Sequence, residues 1–385
     1  MITLHQGYVS DKDGVSTLAT EIDIGDNKRE VRLSVDSEYG KFFSPERADY
    51  ALVGMLAYAL RNKHDIICEA PVTDELLYNI QEILIPTFVR SDPRNYHVKI
   101  QADVAPPLEK LPIDKTRRGG VGTGISCGVD SFYTVLKHLD TRYACRNLTH
   151  LCIFNNGSIN SVYGLKNIPR VKQEVFARSE IVAKELNLPI LKLESNFQDV
   201  VPQNHSRTHT YMDALPIYAL QKLWRVFYRG SGYSFRAFTL NKNMTNEPSH
   251  FEALLLDCFS TSQLKIISSG SEGDRNDKIN FIADKPIAQK YLHVCLKRGE
   301  RNCGRCDKCL RTLIALDAIN KLDDFRESFD IDDYLKIRNY AYIYMHDKIA
   351  RKDGAFYLES YQILYKRHKE FFDSITPETE RLFKI

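Results

Sequence analysis

Val31 and Leu33 alternate with polar neighbours, the period of a half-buried strand. From Glu46 to Arg61 the period lengthens, and Ala48, Ala51, Leu52, Met55, Leu56, Ala59 and Leu60 fall on one helical stripe. Asp65 to Cys68 is a short apolar run that predicts a strand. Thr73 stands where an N-cap would start a second helix reaching to about Phe88, and Tyr96, Val98 and Ile100 alternate again. Together these predict a small N-terminal α/β accessory domain over residues 1–105. It shows no catalytic constellation. His64, beside Asp65, reads as a surface residue, and the default role for this domain is support or partner binding.

Pro106, Pro107 and Pro112 mark a linker that closes at Arg117-Arg118-Gly119-Gly120. Beyond it, strands and helices alternate. Gly120, Val121, Gly122, Gly124 and Ile125 form a small buried run, and Phe132, Val135, Leu136 and Leu139 follow at i, i+3, i+4 and i+7. Leu148 to Phe154 predicts a second strand, closed by the turn Asn155-Asn156-Gly157-Ser158. Glu174 to Leu186 predicts a helix, Leu188 to Leu193 a third strand, and Leu215 to Phe227 a helix carrying Trp224 in the core. Leu264 to Ile267 predicts a fourth strand. Such alternation means a parallel sheet covered on both faces, with ligands off the carboxyl ends of its strands. Leu310 to Leu322 is an amphipathic helix. From Asp323 the chain reads as helical, with Tyr334, Tyr340, Tyr342 and Tyr344 as packing residues. The predicted fold class is α/β: a parallel-sheet domain over 118–320 and a helical extension over 321–385.

Composition narrows the function classes. The 385 residues allow two or three domains, and 43% hydrophobic with 27% charged residues suits a globular core. A net charge of +3 is too small to argue for nucleic acid or a membrane surface. Met1-Ile2-Thr3-Leu4-His5-Gln6 lacks a signal-peptide pattern, and no apolar run approaches the ~20 residues that span a bilayer, so a cytoplasmic location is expected. In a reducing compartment, grouped cysteines point to metal before disulfides. Cys295 precedes Cys303-Gly304-Arg305-Cys306-Asp307-Lys308-Cys309, two overlapping C-x-x-C steps. Four thiolates suit a closed, structural zinc site, and an iron–sulfur cluster takes the same donors.

The most chemically loaded stretch is Ile125-Ser126-Cys127-Gly128-Val129-Asp130-Ser131. A strand turning into a helix here presents unpaired N–H groups and the positive helix end, which suit an anion, above all phosphate. Ser126 and Ser131 add hydroxyls, and Asp130 can hold magnesium or fix the loop. Cys127 is expected at φ below zero, with its thiol beside the phosphates. Ser268-Ser269-Gly270-Ser271-Glu272-Gly273-Asp274 fits a second ligand loop, and Asp277-Lys278 opens the next helical stretch.

Taken together, the loop, the parallel sheet and the C-x7-C-x2-C-x2-C cluster resemble the 7-cyano-7-deazaguanine synthase family of the PP-loop ATP pyrophosphatases, over roughly residues 118–315. Ser126, Gly128, Asp130 and Ser131 match the family's Ser-Gly-Gly-x-Asp-Ser loop, and Asp277-Lys278 its Asp/Ser-Lys step. Cys127 replaces the first loop glycine. Thr312 replaces the family's arginine three residues after the last cysteine, with Arg311 one place earlier. The resemblance implies an AMP- and pyrophosphate-forming ligase with Asp130, Ser131 and Lys278 in catalysis. It implies that Ser126, Cys127, Gly128, Val129, Asp130, Ser131 and Phe154 bind ATP with magnesium. Ser269, Gly270, Arg275, Asp277 and Lys278 would hold a carboxylate such as 7-carboxy-7-deazaguanine, and Cys295, Cys303, Cys306 and Cys309 a structural zinc.

The short synthases lack the N-terminal domain and the helical tail. Longer relatives resemble the deazaguanine-handling proteins of bacterial antiviral operons (the CBASS and Qat systems). Those are thought to join a deazaguanine to the N-terminus of a partner protein through an amide. Nitrile or amide formation with ammonia, tRNA modification and a catalytically inactive nucleotide-binding scaffold are the alternatives. No membrane partner is expected, nucleic acid is disfavoured, and a homodimer is compatible with the chain.

Overall fold

Eleven strands join in one sheet in the computed structural model, which describes residues 1–157, 168–201, 203–241, 247–297, 299–352 and 354–376. In chain order they are β1 (Ile2–Leu4), β2 (Tyr8–Lys12), β3 (Val15–Ile24), β4 (Asn27–Asp36), β5 (Ile66–Cys68) and β6 (Ile100–Gln101). Then come β7 (Gly120–Gly124), β8 (His150–Asn155), β9 (Ile190–Ser195), β10 (Trp224–Gly230) and β11 (Lys265–Ser269). Their order in space is β11-β10-β7-β8-β9-β4-β3-β1-β5-β6, with β2 paired to β3. Neighbours from β11 to β9 are all parallel. β4 joins β9 antiparallel, with Val35 opposite Leu193. Residues 1–105 therefore extend the same sheet as the rest of the chain. The strands before Val31 had left no clear signal, since β2 is mostly exposed and its alternation breaks.

Side chains alternate across a strand, so each strand feeds two layers. Cys152 and Phe227 point to one face, where α1 (Asp49–Asn62) packs on α4 (His205–Ala219). Leu151, Ile153, Val226 and Tyr228 point to the other. That second layer is covered by α2 (Val129–His138), α3 (Ile168–Glu185), α5 (Arg275–Ala283) and α6 (Asp307–Ala318). Trp224 shares the first face with Phe227 because a register shift between Trp224 and Val226 restores the parity. The C-terminal region is helical: α7 (Ile331–Lys336), α8 (Arg338–Ala350), α9 (Leu358–Arg367) and α10 (Lys369–Asp373). Among the described residues no helix is long and apolar enough to cross a membrane.

Three local expectations are corrected. The helix predicted over Leu215–Phe227 ends at Ala219, and Trp224 opens the strand β10. A short buried strand lacks the period that separates it from a helix. Trp224 is nonetheless fully buried. Of the strand predicted from Tyr96, only Ile100–Gln101 pairs, and Tyr96 is 43% exposed. Thr73 precedes the helical stretch Asp74–Ser91 without capping it by its side chain. Its hydroxyl instead donates to the buried Asp49 at 2.7 Å, beside bonds from the Thr73 N–H and Gln221. Ser158 of the predicted turn, and residues 377–385 of the predicted extension, lie outside the described residues.

Candidate functional site

The 125–131 stretch leaves the carboxyl end of β7 and runs directly into α2. Gly128 occupies the N-cap position and offers no side-chain cap, so the first N–H groups of α2 remain open to a ligand. Gly230, at the end of β10, lies so close that a Cβ there would sit 3.0 Å from the Asp130 carbonyl oxygen. Ser131 closes the turn by donating to the Gly128 carbonyl at 3.0 Å, and its hydroxyl lies 3.3 Å from that of Ser126.

Cys127 departs from expectation. Its φ is +59°, the left-handed region that disfavours a Cβ by about 1–2 kcal/mol. The thiol is fully buried among Val129, Phe132 and their neighbours, and burial pushes its pKa up to about 12. It therefore turns into the core and leaves the ligand side of the loop to backbone donors. We expect iodoacetamide to label the exposed Cys145 in the native protein and to spare Cys127. Peptide mass spectrometry showing early modification of Cys127 would contradict this placement.

The charge around the loop comes from α5 and α6. Arg275 donates to Asp130 Oδ2 at 3.1 Å, and Lys278 to Oδ1 at 3.3 Å and to the Ser231 carbonyl at 2.6 Å. The Lys278 side chain is only 1% exposed. Burial works against the Asp130 charge, but Arg275 and Lys278 outweigh it and hold its carboxyl below the usual range. Burial pulls the Arg275 guanidinium down to about 10 despite Asp130. Arg275, Lys308 and Arg311 line a cleft of about 60 Å³ with Gly128, Asp130 and His293. The Nε atoms of Arg275 and Arg311 are buried and have no hydrogen-bond partner among the described residues. The arrangement is a cationic cleft at a helix N-terminus, suited to an anion.

Other predicted residues take different places. Asp277 closes a capping box with Asp274 at the start of α5. Ser269 bonds His138 at 3.0 Å, and Gly270, at φ +90°, passes close to Lys278 and Tyr133. Phe154 stacks on Phe227 at 5.5 Å.

Sequence reasoning missed a polar network at the carboxyl end of β10. Arg229 donates to Asp213 at 2.9 Å, to His209 Nδ1 at 2.7 Å and to Glu252. Since arginine only donates, His209 Nδ1 is the acceptor and its Nε2 carries the proton toward Ser249, 3.2 Å away. Burial, and then Arg229, hold His209 well below its usual pKa, so it is neutral near pH 7. Burial opposes the Arg229 charge, yet Glu252 and Asp213 raise its pKa. At the end of β8, two strands away, the side-chain oxygens of Asn155 and Asn156 are buried and have no hydrogen-bond partner among the described residues. Isolated polar residues carry no sequence period, which is why this rim left no signal. Arg229→Met is expected to lower stability by about 3–5 kcal/mol in urea denaturation, because it strands buried Glu252. A loss below about 1 kcal/mol would show that the network is not structural.

The four cysteines converge as predicted. The Sγ atoms of Cys295, Cys303, Cys306 and Cys309 all lie within 4.8 Å of one another, a cluster that can hold a metal ion such as zinc. Cys303 Sγ and Cys309 Sγ are 3.9 Å apart, near the ~3.8 Å edge of a tetrahedron with 2.3 Å zinc–sulfur bonds. Backbone N–H groups of Leu296 and Cys306 donate to thiolate positions at Cys306 and Cys303. Asn302, which sequence reasoning passed over, accepts from the N–H groups of Val294 and Cys295 and donates to the carbonyls of Leu292 and Ser328. It locks the two cysteine segments together. A bond from the His293 N–H to the Cys127 carbonyl, at 2.8 Å, ties this centre to the loop.

The tyrosines of the tail pack, as read from the sequence, and they also brace the cleft. Tyr344 and Tyr357 donate to Asp307 at the first turn of α6, next to Lys308. Tyr334 and Tyr342 donate to Asp317 farther along the same helix. Ser360 and Glu359 hold Asn276, next to Arg275. No protein-family model matches the chain, and comparisons with curated proteins and with solved structures find no match.

Proposed function

We propose that this chain is an ATP-dependent carbon–nitrogen ligase of the PP-loop type, which adenylates a carboxylate and passes the acyl group to an amine. The observation that carries the reading is the cleft at the start of α2, where open backbone donors meet Arg275, Lys308 and Arg311 around a single carboxylate. Pyrophosphate gathers negative charge as it leaves, and fixed cations and N–H groups are suited to absorb it. A carboxylate oxygen attacks the α-phosphorus of ATP, the bond to the β-phosphate oxygen breaks, and pyrophosphate departs. The amine then attacks the acyl carbon, loses a proton and displaces AMP.

In this reading Asp130 fixes Arg275 and Lys278 in place, since both of its oxygens are engaged by them. Magnesium would arrive with the nucleotide. Cys295, Cys303, Cys306 and Cys309 would hold zinc, with four thiolates leaving no open position for water, so its role is structural. By the resemblance to deazaguanine enzymes, the carboxylate is 7-carboxy-7-deazaguanine or a close analogue, and the acceptor is the N-terminal amine of a partner protein.

A nucleotide-binding scaffold is the second reading, and the positive φ of Cys127 is what favours it. The burial of the thiol counts against it, because the loop donors stay clear. Carboxylate-dependent exchange of labelled pyrophosphate into ATP separates the two. The ligase gives exchange with 7-carboxy-7-deazaguanine, and a scaffold gives none.

A further inference from the structure

A cavity of about 600 Å³ shares no lining residue with the loop cleft. It lies between the end of α1, the turn that follows Asp74–Ser91 and the start of α4. Its size falls in the range of small-molecule sites, roughly 300–1,000 Å³.

The charge in its wall is held in a fixed arrangement. Asp92 is fully buried and accepts from Arg61 Nη2 at 2.9 Å and Arg94 Nη2 at 2.7 Å. That carboxylate orders two guanidiniums at the wall, and Arg207, in the first turns of α4, adds a third. Three guanidiniums against one carboxylate leave the cavity positive. Ordered guanidiniums lose little freedom on meeting a phosphate or carboxylate, which they match with paired donors.

Aromatic surface makes up much of the remaining wall. Phe88 and Phe251 meet edge to face at 5.0 Å. Tyr211 is 4% exposed, and among the described residues its hydroxyl has no hydrogen-bond partner. That hydroxyl, on the cavity wall, can both donate to and accept from a bound molecule.

We propose that this cavity binds a planar ring carrying an anionic group, the chemistry shared by a nucleoside monophosphate and an aromatic carboxylate. The ring lies against Phe88, Phe251 and Tyr211, and the anion meets Arg61 and Arg207. The proposal does not depend on the adenylation chemistry at the loop.

Calorimetric titration of the full chain with AMP, and separately with indole-3-acetate, tests it. Saturable binding of either is expected, and the one that binds identifies the anion as phosphate or carboxylate. Arg207→Gln and Tyr211→Phe should each weaken that binding at least tenfold while the melting temperature holds. Arg311→Gln, in the loop cleft, should leave it unchanged. Absence of saturable binding by both ligands overturns the proposal, as does binding that responds to Arg311→Gln and not to Arg207→Gln. A chain that exchanges pyrophosphate yet binds neither ligand refutes only this site, and one that binds here without exchange refutes only the ligase.

Discussion

On the proposed reading, Cys306→Ser is expected to lose zinc binding and nucleotide affinity together. Structural zinc sites contribute apparent binding energies of ~10–16 kcal/mol, enough to decide whether their segment folds. Here the segment is also the base of α6, because Cys306 is its N-cap position and Cys309 lies in its first turn. Lys308 and Arg311 project from the same turns into the loop cleft. Losing the metal therefore displaces two of the cations that face Asp130. Metal analysis, melting temperature and ATP titration should all fall in this variant. Full metal content with unchanged ATP affinity would show that the four cysteines do not form one site.

Asp130→Ala should be almost as damaging, and for a reason the sequence hid. A carboxylate in an exposed turn tolerates replacement within about 0.5 kcal/mol. In the folded chain removal of Asp130 leaves Lys278 and Arg275 buried without their counter-charge. Breaking a buried pair from one side costs about 3–5 kcal/mol. The Asp130 carboxyl is held below its normal range, so this contribution is present above that range and lost as pH falls through the lowered pKa. Asp130→Asn keeps the shape and should fall between the two in urea denaturation. An Asp130→Ala protein as stable as the parent would remove Asp130 from the organisation of the cleft.

What could be read from the sequence follows from which signals are local. The Ile125–Ser131 loop, the strand before it and the helix behind it were legible because a buried strand, small residues and a helical stripe are contiguous. The cysteines were legible because metal geometry imposes spacing. Arg311 and Lys308 sit beside Cys309, but only the fold turns α6 so that they face Gly128. Arg229, His209 and Glu252 come from three separate elements and meet only at the sheet rim. The backbone angle of Cys127 was misjudged because a cysteine gives no sign of φ, and only the packed thiol shows what holds it at +59°. The pairing of β4 with β9 escaped for the same reason as the rim, since strand partners distant in sequence leave no periodic trace.

The central claim is attack by a carboxylate oxygen on the α-phosphate, and oxygen labelling tests it directly. The full chain is incubated with magnesium ATP, 7-carboxy-7-deazaguanine labelled with oxygen-18 in its carboxylate, and an amine acceptor, and the nucleotide product is weighed by mass spectrometry. The account predicts AMP carrying one oxygen-18 atom from the carboxylate, formed in step with pyrophosphate. ADP with labelled phosphate, or AMP free of label, would contradict it.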